Sequence, residues 1–118
     1  MAEASNFDKL FRKLIRRFRE DFPTLYPVRV RRCEIEEEGS YGETELIYGK
    51  HGPYIIVRIE KREAESTQFL ALIHELGHAL DWGTPEQEAA KDELYQRGHG
   101  PSYGIAYAAL FERLVGSV

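Results

Sequence analysis

The stretch FLALIHELGHALDW, residues 69–82, decides the fold of the region around it. Its apolar residues recur at three- and four-residue spacing, which predicts a helix with one buried face. His74 and His78 are four residues apart, so on this helix both imidazoles lie on one face, one turn apart. Two imidazole nitrogens at that spacing can bind one metal ion at about 2.0–2.1 Å, the usual Zn–N distance. The stretch therefore predicts a metal-binding edge on an otherwise apolar helix.

Two further residues of the motif add to this prediction. Glu75 follows the first histidine and can reach a metal-bound water without binding the metal itself. Gly77 lies between the histidines and, because it has no side chain, allows another segment to approach the helix closely. We interpret Glu75 as a candidate general base and the helix as a platform for hydrolytic chemistry.

A catalytic zinc site needs a third protein ligand and an open fourth position. Three residues are candidates for that ligand. His99 lies 21 residues after His78, at a predicted helix break, and Glu88 lies ten residues after it, where an acid also suits a first helical turn. His51 lies before the motif, in a predicted turn where a histidine needs no metal. We favour His99, and the other two remain open at this point.

Toward the N-terminus, the sequence predicts an amphipathic helix over residues 6–22. Its aromatic and aliphatic residues form one stripe, and lysines and arginines cover the other faces. Ser5 or Asn6 is suited to cap its start, and Pro23 to end it.

The region between the two helices predicts three strands. The first covers residues 28–35, where the apolar alternation slips and predicts a bulge near Arg31 and Arg32. The second covers residues 43–48 and the third residues 54–59, with glycine-containing turns before each of them.

After the strands the periodicity predicts three helices. The first runs from about residue 63 to residue 82, and Gly83 ends it. Thr84 is suited to cap the second, residues 98–101 break the chain, and residues 102–115 form the last helix. The order of helix, three strands and three helices predicts an α+β fold, and we expect residues 1–118 to form one domain.

Composition bounds the function classes. The 118 residues are 42% hydrophobic and 31% charged, which is typical of a globular protein. A lone cysteine, Cys33, cannot form an internal disulfide, and the N-terminus lacks a signal pattern, so we expect a cytoplasmic protein. No apolar run approaches the roughly 18 residues of a membrane span, so we expect no membrane partner.

The net charge of −4 is unevenly distributed. Residues 1–32 hold nine basic against four acidic side chains, a net +5, and the remainder holds seven against sixteen, a net −9. A basic segment can favour nucleic acid. We interpret this one as a solvated helix face, because its aromatics fall on the apolar stripe, and we expect weak or no nucleic-acid binding.

The motif His74-Glu75-Leu76-Gly77-His78, followed by His99-Gly100-Pro101-Ser102-Tyr103, resembles the SprT-like zinc metallopeptidases. Proteins of this group have a His-Glu-x-x-His helix and then a His-Gly-Pro-x-aromatic segment whose histidine is the third ligand. The resemblance covers roughly residues 69–115. It implies a zincin-like fold, Zn²⁺ as cofactor, a peptide or protein substrate, the ligands His74, His78 and His99, and Glu75 as general base. It also implies that a strand within residues 43–60 pairs with the extended substrate.

Other interpretations stay open. The segment from Glu88 to Asp92 resembles the Glu-x-x-x-Asp segment of gluzincins, which would make Glu88 the third ligand. The site could belong to a zinc hydrolase with a substrate other than peptide, or to a zinc-binding module without peptidase activity. Tyr103 and Tyr107 are each either a second electrophile or a core aromatic, and Asp81 is either a partner of a ligand imidazole or a surface acid.

Overall fold

The computed structural model describes residues 5–95 and 100–116, which form four helices and a three-stranded sheet, an α+β arrangement. The predicted order of helix, three strands and three helices is confirmed. The elements are α1 (Asn6–Asp21), β1 (Val28–Cys33), β2 (Gly42–Gly49), β3 (Gly52–Glu60), α2 (Glu65–Asp81), α3 (Pro85–Tyr95) and α4 (Pro101–Leu114).

The three strands form one mixed sheet in the order β1-β3-β2. β1 runs parallel to β3, with Val28 opposite Ile55. β2 runs antiparallel to β3 through a tight hairpin that closes at the pair Gly49–Gly52. Gly52 has φ +114°, a conformation that favours glycine and permits this turn. In the described sheet β2 is therefore an edge strand.

The predicted bulge in β1 is wrong, because β1 and β3 stay in register through the pairs Arg31–Arg58 and Arg32–Ile59. The apolar alternation slips for another reason. Arg32 occupies a position on the helix-facing side of the sheet, and its guanidinium lies over the rings of Phe7 and Phe11, 5.4 and 5.1 Å from their centroids. A cation on aromatic rings thus takes the place of an aliphatic side chain at the end of the strand.

The helices cover one face of the sheet and form the core there. Ile55, Val57 and Ile59 of β3 are fully buried beneath α2. The side chains that complete this core come from three helices: Phe11, Leu14 and Phe18 of α1, Leu72, Ile73, Leu76 and Ala79 of α2, and Leu110 and Leu114 of α4. The apolar face of α2 packs against this core, so the orientation of the helix about its own axis is fixed. The direction of its adjacent face, which carries His74 and His78, is fixed with it.

Local capping agrees with the sequence. The Ser5 hydroxyl accepts the amide of Asp8 and caps α1. Thr84 and Gln87 each bond the other's amide through their side chains, which is a capping box at the start of α3.

No helix within the described residues is long and apolar enough to cross a membrane.

Candidate metal centre and catalytic site

His74 and His78 lie side by side on α2. Their ring centroids are 5.0 Å apart and the ring planes meet at 76°. Their four-residue spacing places them one helical turn apart on one face. The adjacent face of α2, with Leu72, Ile73 and Leu76, is fully buried. The predicted common face of the two imidazoles is confirmed.

Glu75 is buried, with 8% of its surface exposed, and its carboxylate points to the start of β2. The Thr44 hydroxyl donates to Oε1 of Glu75 at 2.7 Å and lies 3.2 Å from the main-chain oxygen of Glu75. The other carboxylate oxygen, Oε2, lies 3.9 Å from Nε2 of His74. The sheet edge thus directs one oxygen of Glu75 to Thr44 and leaves the other oriented toward the histidine.

Gly42 makes room for this carboxylate. A side chain at position 42 would put its Cβ 2.8 Å from Cγ of Glu75 and 3.3 Å from Oε2. Gly42 and Thr44 are opposite Ile59 and Val57 in the register, so both lie on the helix-facing side of the sheet. Neither residue is recognisable from the sequence pattern, since their role depends on contact with a helix more than thirty residues away.

Tyr103 of α4 lies against both histidines. Its hydroxyl is 3.0 Å from the main-chain oxygen of His74 and 3.1 Å from Nδ1 of the same residue. Its ring centroid is 4.3 Å from that of His78. A Cβ at Gly77 would be 3.1 Å from the Tyr103 ring, so the predicted close approach of another segment at Gly77 is confirmed. Tyr103 is 8% exposed, which makes it the buried aromatic that the sequence allowed.

Burial sets the protonation of these groups. Burial lowers the pKa of His74 below its usual value, which favours the neutral imidazole. Burial also raises the pKa of the Tyr103 hydroxyl, and the charge of Glu75 adds to that rise. A neutral imidazole is the form that binds metal, and a protonated phenol is the form that donates a hydrogen bond.

Of the candidates for a third ligand, His99 lies outside the described residues. The side chain of Glu88 is engaged: its Oε2 accepts the amide of Gly83 at 3.0 Å and pairs with Nζ of Lys91 at 2.8 Å. His51 is exposed in the hairpin loop at the opposite end of β2 from Gly42. Within residues 5–95 and 100–116, no three His, Cys, Asp or Glu side chains are grouped so that they could hold a metal.

Asp81 also pairs with Lys91, at 3.2 Å. Burial alone would lower the pKa of Lys91, but its hydrogen bonds to Glu88 and Asp81 outweigh that effect and raise it. The two carboxylates and this amine therefore form a charged cluster that links the end of α2 to α3.

Two clefts open on either side of Glu75, which lines both. The cleft on the His74 side has a volume of about 510 Å³ and a mainly apolar wall that includes Tyr41, Leu70 and Tyr107. The cleft on the His78 side, about 320 Å³, contains the charged cluster and the further acid Asp92. The site thus has an apolar and an acidic side.

The donor chemistry of this site fits zinc: two imidazoles lie one turn apart, an adjacent carboxylate has one oxygen bonded to a hydroxyl, and there is space on both sides. Comparison of the chain with family models, with curated proteins and with solved structures finds no match.

Proposed function

We propose that this chain is a zinc-dependent peptidase in which His74, His78 and His99 hold the metal and Glu75 is the general base. The observation that supports this most strongly is the position of the Glu75 carboxylate. It is buried at the sheet edge, where Thr44 bonds one of its oxygens. Its second oxygen lies 3.9 Å from Nε2 of His74, which shares a helix face with His78.

Bound zinc would lower the pKa of a water molecule toward about 7 and polarise the scissile carbonyl. In that arrangement Glu75 would take the proton of the attacking water through Oε2, the oxygen that faces His74, while Oε1 accepts the Thr44 hydrogen bond. The same oxygen would then give the proton to the leaving amine. Thr44 keeps the carboxylate in one orientation through both transfers.

The assignment of the third ligand to His99 is supported by the contacts that the other candidate, Glu88, already makes. Use of Glu88 as a ligand would break its hydrogen bond to the Gly83 amide and its ion pair with Lys91. Lys91 would then keep only Asp81 as a charged partner in that cluster. His99 directly precedes Gly100, the N-cap of α4, and α4 contacts both motif histidines through Tyr103.

The edge strand and the two clefts support a peptide substrate. A peptide that extends along β2 passes Gly42 and Thr44, where the Glu75 carboxylate lies. On the His74 side the wall with Leu70 and Tyr107 is suited to an apolar substrate side chain. On the other side Glu88 and Asp92 are suited to a basic or polar one.

The proposal is tested by measuring zinc content and peptide cleavage on the same preparations. We expect Glu75→Gln to keep zinc and to lose cleavage of casein or fluorogenic peptides by several orders of magnitude, because the base is removed and the ligands remain. Glu86→Gln, at an exposed acid in the first turn of α3, is the matched control and should retain both.

Three outcomes would contradict the proposal. Loss of zinc from Glu75→Gln would make Glu75 a ligand. Unchanged cleavage would remove Glu75 from the mechanism. A zinc-loaded parent protein that cleaves no peptide would favour a zinc-binding module or a hydrolase with another substrate.

A further inference from the structure

Tyr103 makes two short polar contacts with one residue. Its hydroxyl lies 3.0 Å from the main-chain oxygen of His74 and 3.1 Å from Nδ1 of the same histidine. A phenol has one proton to donate, and its oxygen can also accept. A carbonyl oxygen only accepts, whereas Nδ1 of a neutral imidazole either donates or accepts, depending on the tautomer.

Only one tautomer makes both contacts attractive. With the proton on Nδ1, the imidazole donates to the Tyr103 oxygen while the Tyr103 proton goes to the carbonyl. With the proton on Nε2, Nδ1 and the carbonyl both require the single phenol proton. One of them would then face the phenol oxygen lone pairs at about 3 Å, a repulsive contact. The pair of contacts therefore selects the tautomer with its proton on Nδ1.

The Tyr103 ring is fixed as firmly as its hydroxyl. The ring lies over Gly77, where a Cβ would come within 3.1 Å of it, and its centroid is 4.3 Å from that of His78. Tyr103 thus fills the gap that the glycine leaves between the two histidines. It has little freedom to turn its hydroxyl away from His74, because 92% of its surface is buried.

We infer that Tyr103 is a positioning residue that fixes His74 in the tautomer with the lone pair on Nε2. Nε2 is the nitrogen 3.9 Å from the Glu75 carboxylate, on the side of the candidate site. The consequence of this tautomer for metal binding rests on the proposed function: a metal that binds Nε2 meets His74 already in the correct tautomer and orientation. The tautomer itself is a property of the metal-free chain and does not depend on that proposal.

Tyr107 provides the control. Its ring is 6.0 Å from that of Tyr103 and 6.5 Å from that of His74, so it occupies the same aromatic cluster. Its hydroxyl makes no hydrogen bond within the part of the chain that the structure describes. Tyr107→Phe therefore removes a hydroxyl from the cluster without changing the bonds of His74.

The test is long-range ¹H–¹⁵N NMR of the full chain labelled at histidine, stripped of metal, at about pH 8, above the ordinary histidine pKa. We expect His74 of the parent to carry its proton on Nδ1. In Tyr103→Phe it should shift toward the Nε2–H form, while Tyr107→Phe should resemble the parent. Zinc titration should show at least tenfold weaker binding for Tyr103→Phe alone.

An Nε2–H tautomer in the metal-free parent would overturn the inference, and so would a Tyr103→Phe variant with unchanged tautomer and zinc affinity. Because the first measurement uses the parent, the inference stays testable even if Tyr103→Phe fails to fold. An Nδ1–H tautomer in a parent that binds no zinc would refute the proposed function and leave the tautomer assignment in place.

Discussion

The hydroxyl of Thr44 donates a hydrogen bond of 2.7 Å to Oε1 of Glu75, and this bond joins the edge strand β2 to the middle of α2. A carboxylate with one oxygen bound in this way has a fixed orientation, and here the second oxygen lies 3.9 Å from Nε2 of His74. The candidate base is thus oriented by a residue 31 positions earlier in the chain. Thr44 is therefore the first position at which the candidate site can be tested without changing a proposed ligand or the proposed base.

Thr44→Val removes the hydroxyl with little change in shape. We expect kcat for peptide cleavage to fall by roughly 10- to 100-fold, with a small change in KM, because a hydrogen bond to a charged group contributes about 1.5–3 kcal/mol. Thr44→Ser should restore most of the activity. Thr24→Val is the matched control, since Thr24 lines neither cleft. Full activity of Thr44→Val would show that this bond does not orient the base.

The third ligand is decided by comparing His99→Ala with Glu88→Ala. His99→Ala should weaken zinc binding strongly, because two ligands remain of three. Glu88→Ala should retain zinc and lower only the melting temperature, because it breaks the bonds to Gly83 and Lys91. Zinc titration and thermal melting of both variants in one buffer are the measurements. A Glu88→Ala protein without zinc beside a loaded His99→Ala protein would establish a gluzincin-like site instead.

The apolar cleft predicts a substrate preference. Leu70 is 54% exposed on its wall, and Leu70→Arg places a charge where we expect an apolar substrate side chain. kcat/KM for peptides with such a side chain next to the scissile bond should fall about tenfold or more. Ile105→Arg is the control, because Ile105 is an exposed apolar residue, 73% accessible, that does not line this cleft. Equal effects of the two variants across a peptide library would refute the assignment.

Glu60 predicts how stability depends on pH. Its buried carboxylate accepts bonds from the Arg62 side chain, the Arg62 amide and the Ile35 amide, which lower its pKa to about 2. Because the folded pKa lies below the unfolded value of about 4.3, the folded state binds fewer protons in that interval. The stabilisation is therefore present above about pH 4.3 and is lost as the pH falls toward 2.

Glu60→Gln should melt several degrees lower than the parent at pH 7, and this difference should shrink at pH 3 as the parent loses its advantage. Thermal melting at both pH values is the measurement. Glu36→Gln, at an exposed acid of the preceding loop, should match the parent at pH 7. If the melting temperatures of Glu60→Gln and the parent differ by the same amount at both pH values, the ionised form of Glu60 is not what stabilises the folded state.

Although one face of α1 is basic, we expect the protein to have little affinity for nucleic acid. Lys9, Arg12, Lys13 and Arg16 are exposed, as expected for a solvated helix face. We expect a Kd for duplex DNA weaker than about 10 μM at 150 mM salt, measured by fluorescence anisotropy, because residues 33–118 carry a net charge of −9. Tighter binding that falls steeply between 50 and 200 mM salt, and that Arg12→Glu with Arg16→Glu abolishes, would contradict this expectation.

The sequence by itself determined the features that depend on neighbours within a few positions. The order of the elements, the cap at Ser5, the box at Thr84 and the shared face of His74 and His78 all follow from local spacing. Helical geometry repeats every 3.6 residues, so spacing alone fixes which side chains share a face. The same local rule failed at Arg32, where a phase slip predicted a bulge and a cation over two aromatic rings is found instead.

Only the tertiary structure decided which residues meet across the chain. Thr44 reaches Glu75, and Tyr103 reaches His74, over separations of 31 and 29 residues. The parallel pairing of β1 with β3 likewise could not be predicted from the alternation of apolar and polar residues. That alternation indicates which face of a strand is buried, but not which strand it pairs with. Such contacts result from the packing of whole elements around a shared core, and no local period of the sequence encodes that packing.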